Sequence, residues 1–337
     1  MKAVALTRYL PIDDPQSLTD VELPKPNPTG RDLLVRVEAV SVNPVDAKLR
    51  APKPQVESTP KVLGYDAAGV VEAVGESVTL FKPGDEVFYA GDVTRPGTNA
   101  QFHLVDERIV GRKPRSLDFA HAASVPLTAL TAWELLFDRF GFDSEGAQRG
   151  QSLLAVAGAG GLGSIAIQLA KRAGLSVIAT ASRPDSIAWC RTMGADHVID
   201  HRQPLRPQLE ALGFKYVDAI GSFAAPEPYW QQYADIVAPQ GKIGILTTLA
   251  SPLDMNLLKN KSASVHWEFM FARAMFATPD MIRQHEILTR VGELIDAGEI
   301  KSTVTRVLSP INAANMREAH RLIESGATIG KMAIRGW

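Results

Sequence analysis

The chain has 337 residues, enough for about two domains. Its 45% hydrophobic and 22% charged content is ordinary for a globular chain and excludes a disordered protein. Lys plus Arg number 36 against 37 Asp plus Glu, a formal net charge of −1, so no global basic field points to nucleic acid or an anionic membrane. One cysteine, Cys190, supports neither an internal disulfide nor a multi-cysteine zinc site. The run from Met1 is too short for a signal peptide. The longest apolar stretch, 153–170, holds four glycines, with Ser164 and Gln168 beyond them, and reads as strand, turn and helix. These features predict a cytoplasmic protein with no membrane span.

Residues 1–126 hold 13 of the 22 prolines and several short alternating runs. Val35, Val37 and Ala39 share one strand face, with Arg36 and Glu38 on the other. Similar runs lie near 69–74, 85–90 and 101–105, and Pro83-Gly84-Asp85 is a turn signal feeding 85–90. Short strands with turns between them predict a small, irregular β-barrel. After about Pro126 the rhythm changes. Apolar runs at 152–157, 175–180, 196–200, 217–222 and 242–246 alternate with helical segments, of which 162–172 and 185–193 are the clearest. Strands alternating with helices predict βαβ units and a parallel sheet. Amphipathic helices at 281–297 and 313–324 follow, each before a short strand, the last at 331–335. On pattern alone this last part fits either domain.

Gly158-Ala159-Gly160-Gly161-Leu162-Gly163 fits G-x-G-x-x-G, follows an apolar run and opens a helical segment. Glycines allow a tight turn and close approach of a pyrophosphate, and the helix N-terminus offers unpaired N–H groups. The alternative is a turn kept glycine-rich for packing alone. An NAD site places Asp or Glu at the end of the second strand. Here that segment reads Thr180-Ala181-Ser182-Arg183-Pro184, with no acid before Asp185. A guanidinium grips a phosphate through paired N–H groups, so Ser182 and Arg183 predict NADP(H). The plain alternative is a solvated surface arginine. His201 follows the next short strand, where it either stacks on an adenine or stands exposed.

The chain resembles the zinc-independent, quinone oxidoreductase-like (zeta-crystallin-type) members of the medium-chain dehydrogenase/reductase superfamily. The resemblance rests on Asn43-Pro44-Val45-Asp46, on Gly64-Tyr65-Asp66-Ala67-Ala68-Gly69-Val70-Val71 with Val74-Gly75, and on Val125-Pro126-Leu127-Thr128-Ala129-Leu130-Thr131-Ala132-Trp133. The Gly158–Gly163 turn and Gly330-Lys331 complete it. It covers essentially the whole chain. It implies an α/β fold: a GroES-like β-barrel catalytic domain over 1–126, to which 270–337 returns, and a central NADP(H)-binding Rossmann domain with a doubly wound parallel sheet over 127–269. The active site would lie in the cleft between them. Zinc-dependent relatives carry a cysteine where this chain has Asn43 and a His-Glu pair where it has Tyr65-Asp66. The seven histidines, at 103, 121, 197, 201, 266, 285 and 320, form no recognisable ligand pair, so no metal is expected.

By resemblance, Asn43 faces the nicotinamide and substrate, its amide able to donate and accept. The alternative is a cap on the helix that Pro44 starts. Tyr65 is either a proton donor or a core tyrosine. Thr128 either approaches the nicotinamide ribose or caps its own helix. Val265, Trp267, Phe269 and Phe271 alternate with polar or unlike residues, predicting one aromatic strand face. That face is buried, or forms a homodimer edge, or lines a substrate site for flat molecules. Cys190 reads as a packing residue.

The function implied is an NADPH-dependent oxidoreductase that passes hydride to quinones or other conjugated carbonyls (enones) without zinc, as a homodimer. The alternatives are a 2-enoyl thioester reductase and a non-enzymatic NADPH-binding structural or regulatory protein.

Overall fold

A computed structural model describes residues 1–146 and 150–337. Contacts divide the chain into two units, Met1–Leu130 with Phe271–Trp337, and Thr131–Met270. The sequence places these boundaries at 126/127 and 269/270. The difference at the first is half a helix, because the helix entered at Pro126 keeps its first turn in the N-terminal unit.

The N-terminal segment carries strands β1 (Lys2–Tyr9), β2 (Thr19–Glu22), β3 (Asp32–Ser41), β4 (Lys53–Val62), β5 (Ala67–Val74), β6 (Glu86–Tyr89), β7 (Phe102–Asp106) and β8 (Val110–Arg112). Helix α1 (Pro44–Arg50) follows β3, and α2 (Phe119–Ala123) and α3 (Pro126–Trp133) follow β8. A π-helical turn, Glu134–Arg139, continues from α3 into the second unit. There β9 (Ser152–Val156), α4 (Gly161–Arg172), β10 (Ser176–Thr180), α5 (Pro184–Thr192), β11 (His197–Ile199) and α6 (Leu205–Ala211) alternate. They are followed by β12 (Val217–Ser222), α7 (Trp230–Ile236), β13 (Val237–Ile245), α8 (Asn256–Lys259) and β14 (Ser264–Trp267). The chain then returns to the first unit through α9 (Ala272–Met275), α10 (Arg283–Asp296), β15 (Val304–Leu308), α11 (Ala313–Glu324) and β16 (Lys331–Arg335).

The first unit is built on β3. Val35, Val37 and Ala39 are buried while Arg36 points outward, the alternation of a half-buried strand, and towards the strand's ends Leu33, Leu34 and Val40 are buried as well. Its seven-stranded sheet has the order β15-β16-β3-β5-β6-β8, with β7 also pairing β3. β16 lies antiparallel to β3, placing Ile334 opposite Val40. This unit is the GroES-like β domain. β1, β2 and β4 form a separate three-stranded sheet.

The second unit holds a six-stranded parallel sheet of order β11-β10-β9-β12-β13-β14, the doubly wound Rossmann order. All five residues of β9 are buried, as befits a central strand covered on both faces. Leu154, Ile178, Val217, Ile220 and Ile243 join Trp230 and Tyr233 of α7 in its core. The predicted aromatic strand over 265–271 is shorter than expected. β14 ends at Trp267, because its partner β13 ends at Ile245, the residue opposite, and the Glu268 N–H to Ile245 is the last rung. Trp267 and Phe269 are exposed, whereas Phe271 is buried at the start of α9. Cys190 is fully buried in α5, and burial pushes its thiol up to about 11.

Candidate functional site

The turn between β9 and α4 is shaped by three glycines with different tasks. A Cβ on Gly158 would meet the Ala179 Cβ at 2.8 Å and the Cys190 Sγ at 3.2 Å. One on Gly163 would lie 2.5 Å from the Gly158 carbonyl oxygen. Both positions therefore serve close packing of strand, turn and helix. Gly160, the residue capping α4, is different. Its φ is −71°, and an added Cβ would find its nearest neighbour, the Ala157 carbonyl oxygen, at an ordinary 3.5 Å. Protein packing does not demand glycine there. A pyrophosphate lying on the turn does, since a side chain would hold it away from the backbone. Ala157, just before the turn, has a φ of +61°, a conformation costing an L-residue roughly 1–2 kcal/mol. Strain of this kind persists where a binding turn must keep its shape. Ala159 is buried and Gly161 and Leu162 are half-buried, so the turn fits a dinucleotide pyrophosphate at the positive end of a 12-residue helix.

At the ends of the next two strands stand the residues expected to choose the dinucleotide. Thr180 of β10 is paired with Ile199 of β11, and the Ala181 N–H donates to the Ile199 carbonyl. This brings residues 182–183 beside 200–202. Arg183 is exposed at the cap of α5, its Nε donating to Ser186 Oγ at 3.3 Å. Ser182 is half-buried and its carbonyl accepts from Arg202 at 3.0 Å. His201 is half-buried, and its Nδ1 is buried without a hydrogen bond among the described residues. Arg202 escaped the sequence reading. Its only signal there was a basic residue following the third strand.

In the first unit, the expected catalytic residues belong to a buried polar network. Asn43 caps α1, its N–H donating to Asp46 Oδ2 at 2.7 Å. Its amide Nδ2 donates to the Tyr65 carbonyl and to Asp66 Oδ2, both at 2.8 Å. Its Oδ1 accepts from Lys331 Nζ at 2.5 Å. Lys331 Nζ also donates to Asp66 Oδ2 at 3.1 Å and to the Val42 carbonyl at 3.2 Å. The second Asp66 oxygen accepts the Leu127 N–H at 2.8 Å, fixing the first turn of α3. Asn43, Asp46, Asp66 and Lys331 are all at most 3% exposed. Burial pushes the Asp46 carboxyl up to about 7, against the pull of the Asn43 N–H and of Lys331. Burial also raises Asp66, while Lys331, the Asn43 amide and the Leu127 N–H pull it back.

This network corrects the expectation for Asn43. Both of its amide hydrogens are spent on protein acceptors, so it has no donor left for a substrate carbonyl. The cap reading is met by its position, although its side chain serves the network rather than the helix. Thr128 is buried inside the first turn of α3 and its hydroxyl donates to the Val125 carbonyl at 3.0 Å, a bond back along the turn and not a cap, which would accept a backbone N–H. Tyr65 is 1% exposed and packs edge-on against Phe271 with ring centroids 5.3 Å apart. Burial, with Asp46 nearby, raises its phenol well above the ordinary value, so it stays neutral. Its hydroxyl makes no hydrogen bond among the described residues. Asp66 and Lys331 were legible only as parts of the resemblance, although a lysine directly before the apolar run Met332-Ala333-Ile334 was a signal for a buried cation.

Residues 29–115 match the alcohol dehydrogenase GroES-like domain family, and residues 193–334 match the zinc-binding dehydrogenase family. A zinc-type alcohol dehydrogenase-like protein of Staphylococcus epidermidis is 41% identical over 335 residues, 99% of each chain. The chain belongs to this zinc-type alcohol dehydrogenase-like family of the medium-chain dehydrogenase/reductase superfamily. Among solved structures, a protein from Rhizobium etli CFN 42 described as a zinc-dependent alcohol dehydrogenase superposes with a TM-score of 0.95 at 51% identity, over 100% of this chain and 98% of that one. The quinone oxidoreductase of Coxiella burnetii does so with a TM-score of 0.81 at 26% identity, over 100% and 99%. As a medium-chain dehydrogenase/reductase, the protein is an oxidoreductase by descent. The family's zinc is another matter. Among the described residues no group of three or more His, Cys, Asp and Glu is placed to hold a metal ion. At Asn43 and Asp66, where the ligand-bearing segments of zinc-dependent relatives fall, the Lys331 ammonium already occupies the acceptors. These residues do not fit a catalytic zinc.

Proposed function

We propose that this protein is an NADPH-dependent reductase of quinones or other conjugated carbonyls that works without zinc. The observation that carries the reading is Lys331, a fixed protein cation bonded to Asn43 and Asp66. Reducing a simple aldehyde creates an alkoxide, which needs a Lewis acid or a well-placed proton donor. A quinone or enone instead spreads the charge into a phenolate or enolate, which is far less basic, so the acceptor itself compensates for the missing metal. The likeness to a quinone oxidoreductase agrees with this.

A bound nicotinamide dinucleotide supplies the hydride. The protein binds and orients. The Gly158–Gly163 turn and the start of α4 receive the pyrophosphate, and Arg183 with Ser182 takes the ribose phosphate. In the first unit, Lys331 locks Asn43 and Asp66, and Asp66 holds the turn that carries Thr128. Burial holds the Tyr65 phenol neutral at any working pH, so it can offer an acceptor oxygen a hydrogen bond, and the proton for the product comes from solvent. We further propose a homodimer, supported by β14, an edge strand bearing the exposed Trp267. A cytoplasmic location is supported by the lone, buried cysteine.

The test is oxidation of NADPH and NADH against a quinone, an enone and an enoyl thioester, together with alcohol oxidation using NADP. Quinone and enone turnover with NADPH is expected. Arg183→Glu should weaken NADPH about tenfold to a hundredfold, the equivalent of one charge-assisted hydrogen bond of roughly 1.5–3 kcal/mol. Equal use of NADH, or efficient alcohol oxidation by metal-free protein, overturns the reading. A preference for the thioester moves it to enoyl reduction.

A further inference from the structure

Arg202 is an exposed residue held with unusual completeness. Its backbone N–H donates to Asp200 Oδ1 at 2.9 Å. Its Nε reaches both Asp200 oxygens at 3.0 and 3.1 Å, and its Nη2 donates to Asp200 Oδ2 at 2.7 Å. The same Nη2 donates to the Ser182 carbonyl at 3.0 Å. Arg202 holds the Asp200 carboxyl down at about 2, so the clasp persists across any working pH. An isolated exposed ion pair contributes little to stability. This arrangement is placed to do something else. It joins the loop after β11 to the peptide immediately before Arg183, which follows a different strand, β10, and lies 20 residues earlier in the chain. The guanidinium's remaining nitrogen, Nη1, makes no hydrogen bond among the described residues.

We propose that Arg202, clasped by Asp200, is the positioning residue that sets the preference for a 2′-phosphorylated dinucleotide. It fixes the Ser182 peptide, and with it the place from which Arg183 reaches the phosphate. A lysine cannot reproduce this, because an ammonium lacks the planar fork that engages a carboxylate edge and a carbonyl together. The proposal rests on the NADPH reading above and deepens it.

The test uses the full-length protein and calorimetric titration with two small probes, adenosine 2′,5′-bisphosphate and adenosine 5′-monophosphate. Their affinity ratio isolates the 2′-phosphate. Arg202→Ala is expected to lower that ratio about tenfold, with monophosphate binding and melting temperature unchanged. Arg202→Lys should recover only a minor part. The deciding variant is Asp200→Asn, which removes a negative charge next to the site. If local charge alone governed binding, the bisphosphate would bind more tightly. The clasp requires the opposite, a several-fold loss, because Arg202 is released from Ser182. Bisphosphate binding as tight as in the parent, or tighter, in Asp200→Asn overturns the proposal, as does an unchanged ratio in Arg202→Ala. If the parent itself shows no preference for the bisphosphate, the NADPH reading has failed instead, and the two failures are distinguishable.

Discussion

Single side chains in this protein carry their charge states a long way from water. Asp46 sits raised to about 7 because burial disfavours its charged form. In the unfolded chain it titrates near the ordinary carboxylate value, so the native state binds the extra proton between about pH 4 and pH 7. Its contribution to stability is therefore present below about pH 4, is lost as pH rises to about 7, and is constant above. His103 and His320 act in the other direction. Burial lowers them to about 4 and about 3, so their contribution is present above about 6.5 and falls away in acid. The parent profile mixes these effects, but Asp46→Asn isolates one. Asparagine can still accept the Asn43 N–H, and denaturant melts from pH 4 to 8 should show the variant gaining stability relative to the parent as pH rises. A difference that is flat with pH would mean that Asp46 stays ionised in the fold. At this scale the sequence was a partial guide. Asn43 and Tyr65 stood out by their family position, yet what Asn43 does is decided by Lys331, 288 residues away. No local pattern reports a hydrogen bond of that span.

Among the elements, the strand–turn–helix of β9 and α4 joins packing and binding most closely, and its glycines separate the two. Gly163→Ala pushes a methyl to 2.5 Å from a backbone oxygen, which must move, so a loss of roughly 1–3 kcal/mol and a lower melting temperature are expected. Gly160→Ala meets nothing closer than 3.5 Å, so the fold should stay within about 1 kcal/mol of the parent while dinucleotide affinity falls at least about tenfold. Thermal melts beside fluorescence titration with NADPH read both effects. Unchanged affinity in Gly160→Ala would remove the turn from the binding site. These elements were legible beforehand because buried parallel strands read as short apolar runs, and glycine turns and helical periodicity bound them. β12, α11 and β16 fall on the residues expected. β1, β2 and β4 had no such signature. Most of β4 is exposed and it carries Pro54 and Pro60, so it is a strand only because β1 offers it an edge. The aromatic run at 265–271 showed the converse error. Its period suited a strand, but the neighbouring strand stops at Ile245 and the pairing stops with it.

For the whole molecule, the order along the chain matters as much as the folded arrangement. Thr131–Met270 is one uninterrupted segment with its own six-stranded sheet, whereas the first unit is assembled from both sides of it. The residue pattern could place the helix–strand pairs at 281–335 but not their owner, which only the family resemblance assigned to the first domain. Ownership is set by β16 lying against β3, a pairing of residues nearly three hundred positions apart. Because β16 both completes that sheet and brings in Lys331, it imposes a timetable on synthesis. The inserted unit has all its residues once Met270 leaves the ribosome. The earlier-made unit must wait for 331–335, several seconds more at about 5–20 residues per second. Until then β3 shows an open edge, and two carboxylates destined for burial lack their cation. Nascent chains arrested with residue 300 emerged should resist protease across 131–270 and be cut within 1–130. Equal protection of both segments would mean that the first unit closes without its last strand. The portion of the protein made first is thus the portion that stays unfinished longest, and it is there that a chaperone bound to the nascent chain has the most to protect.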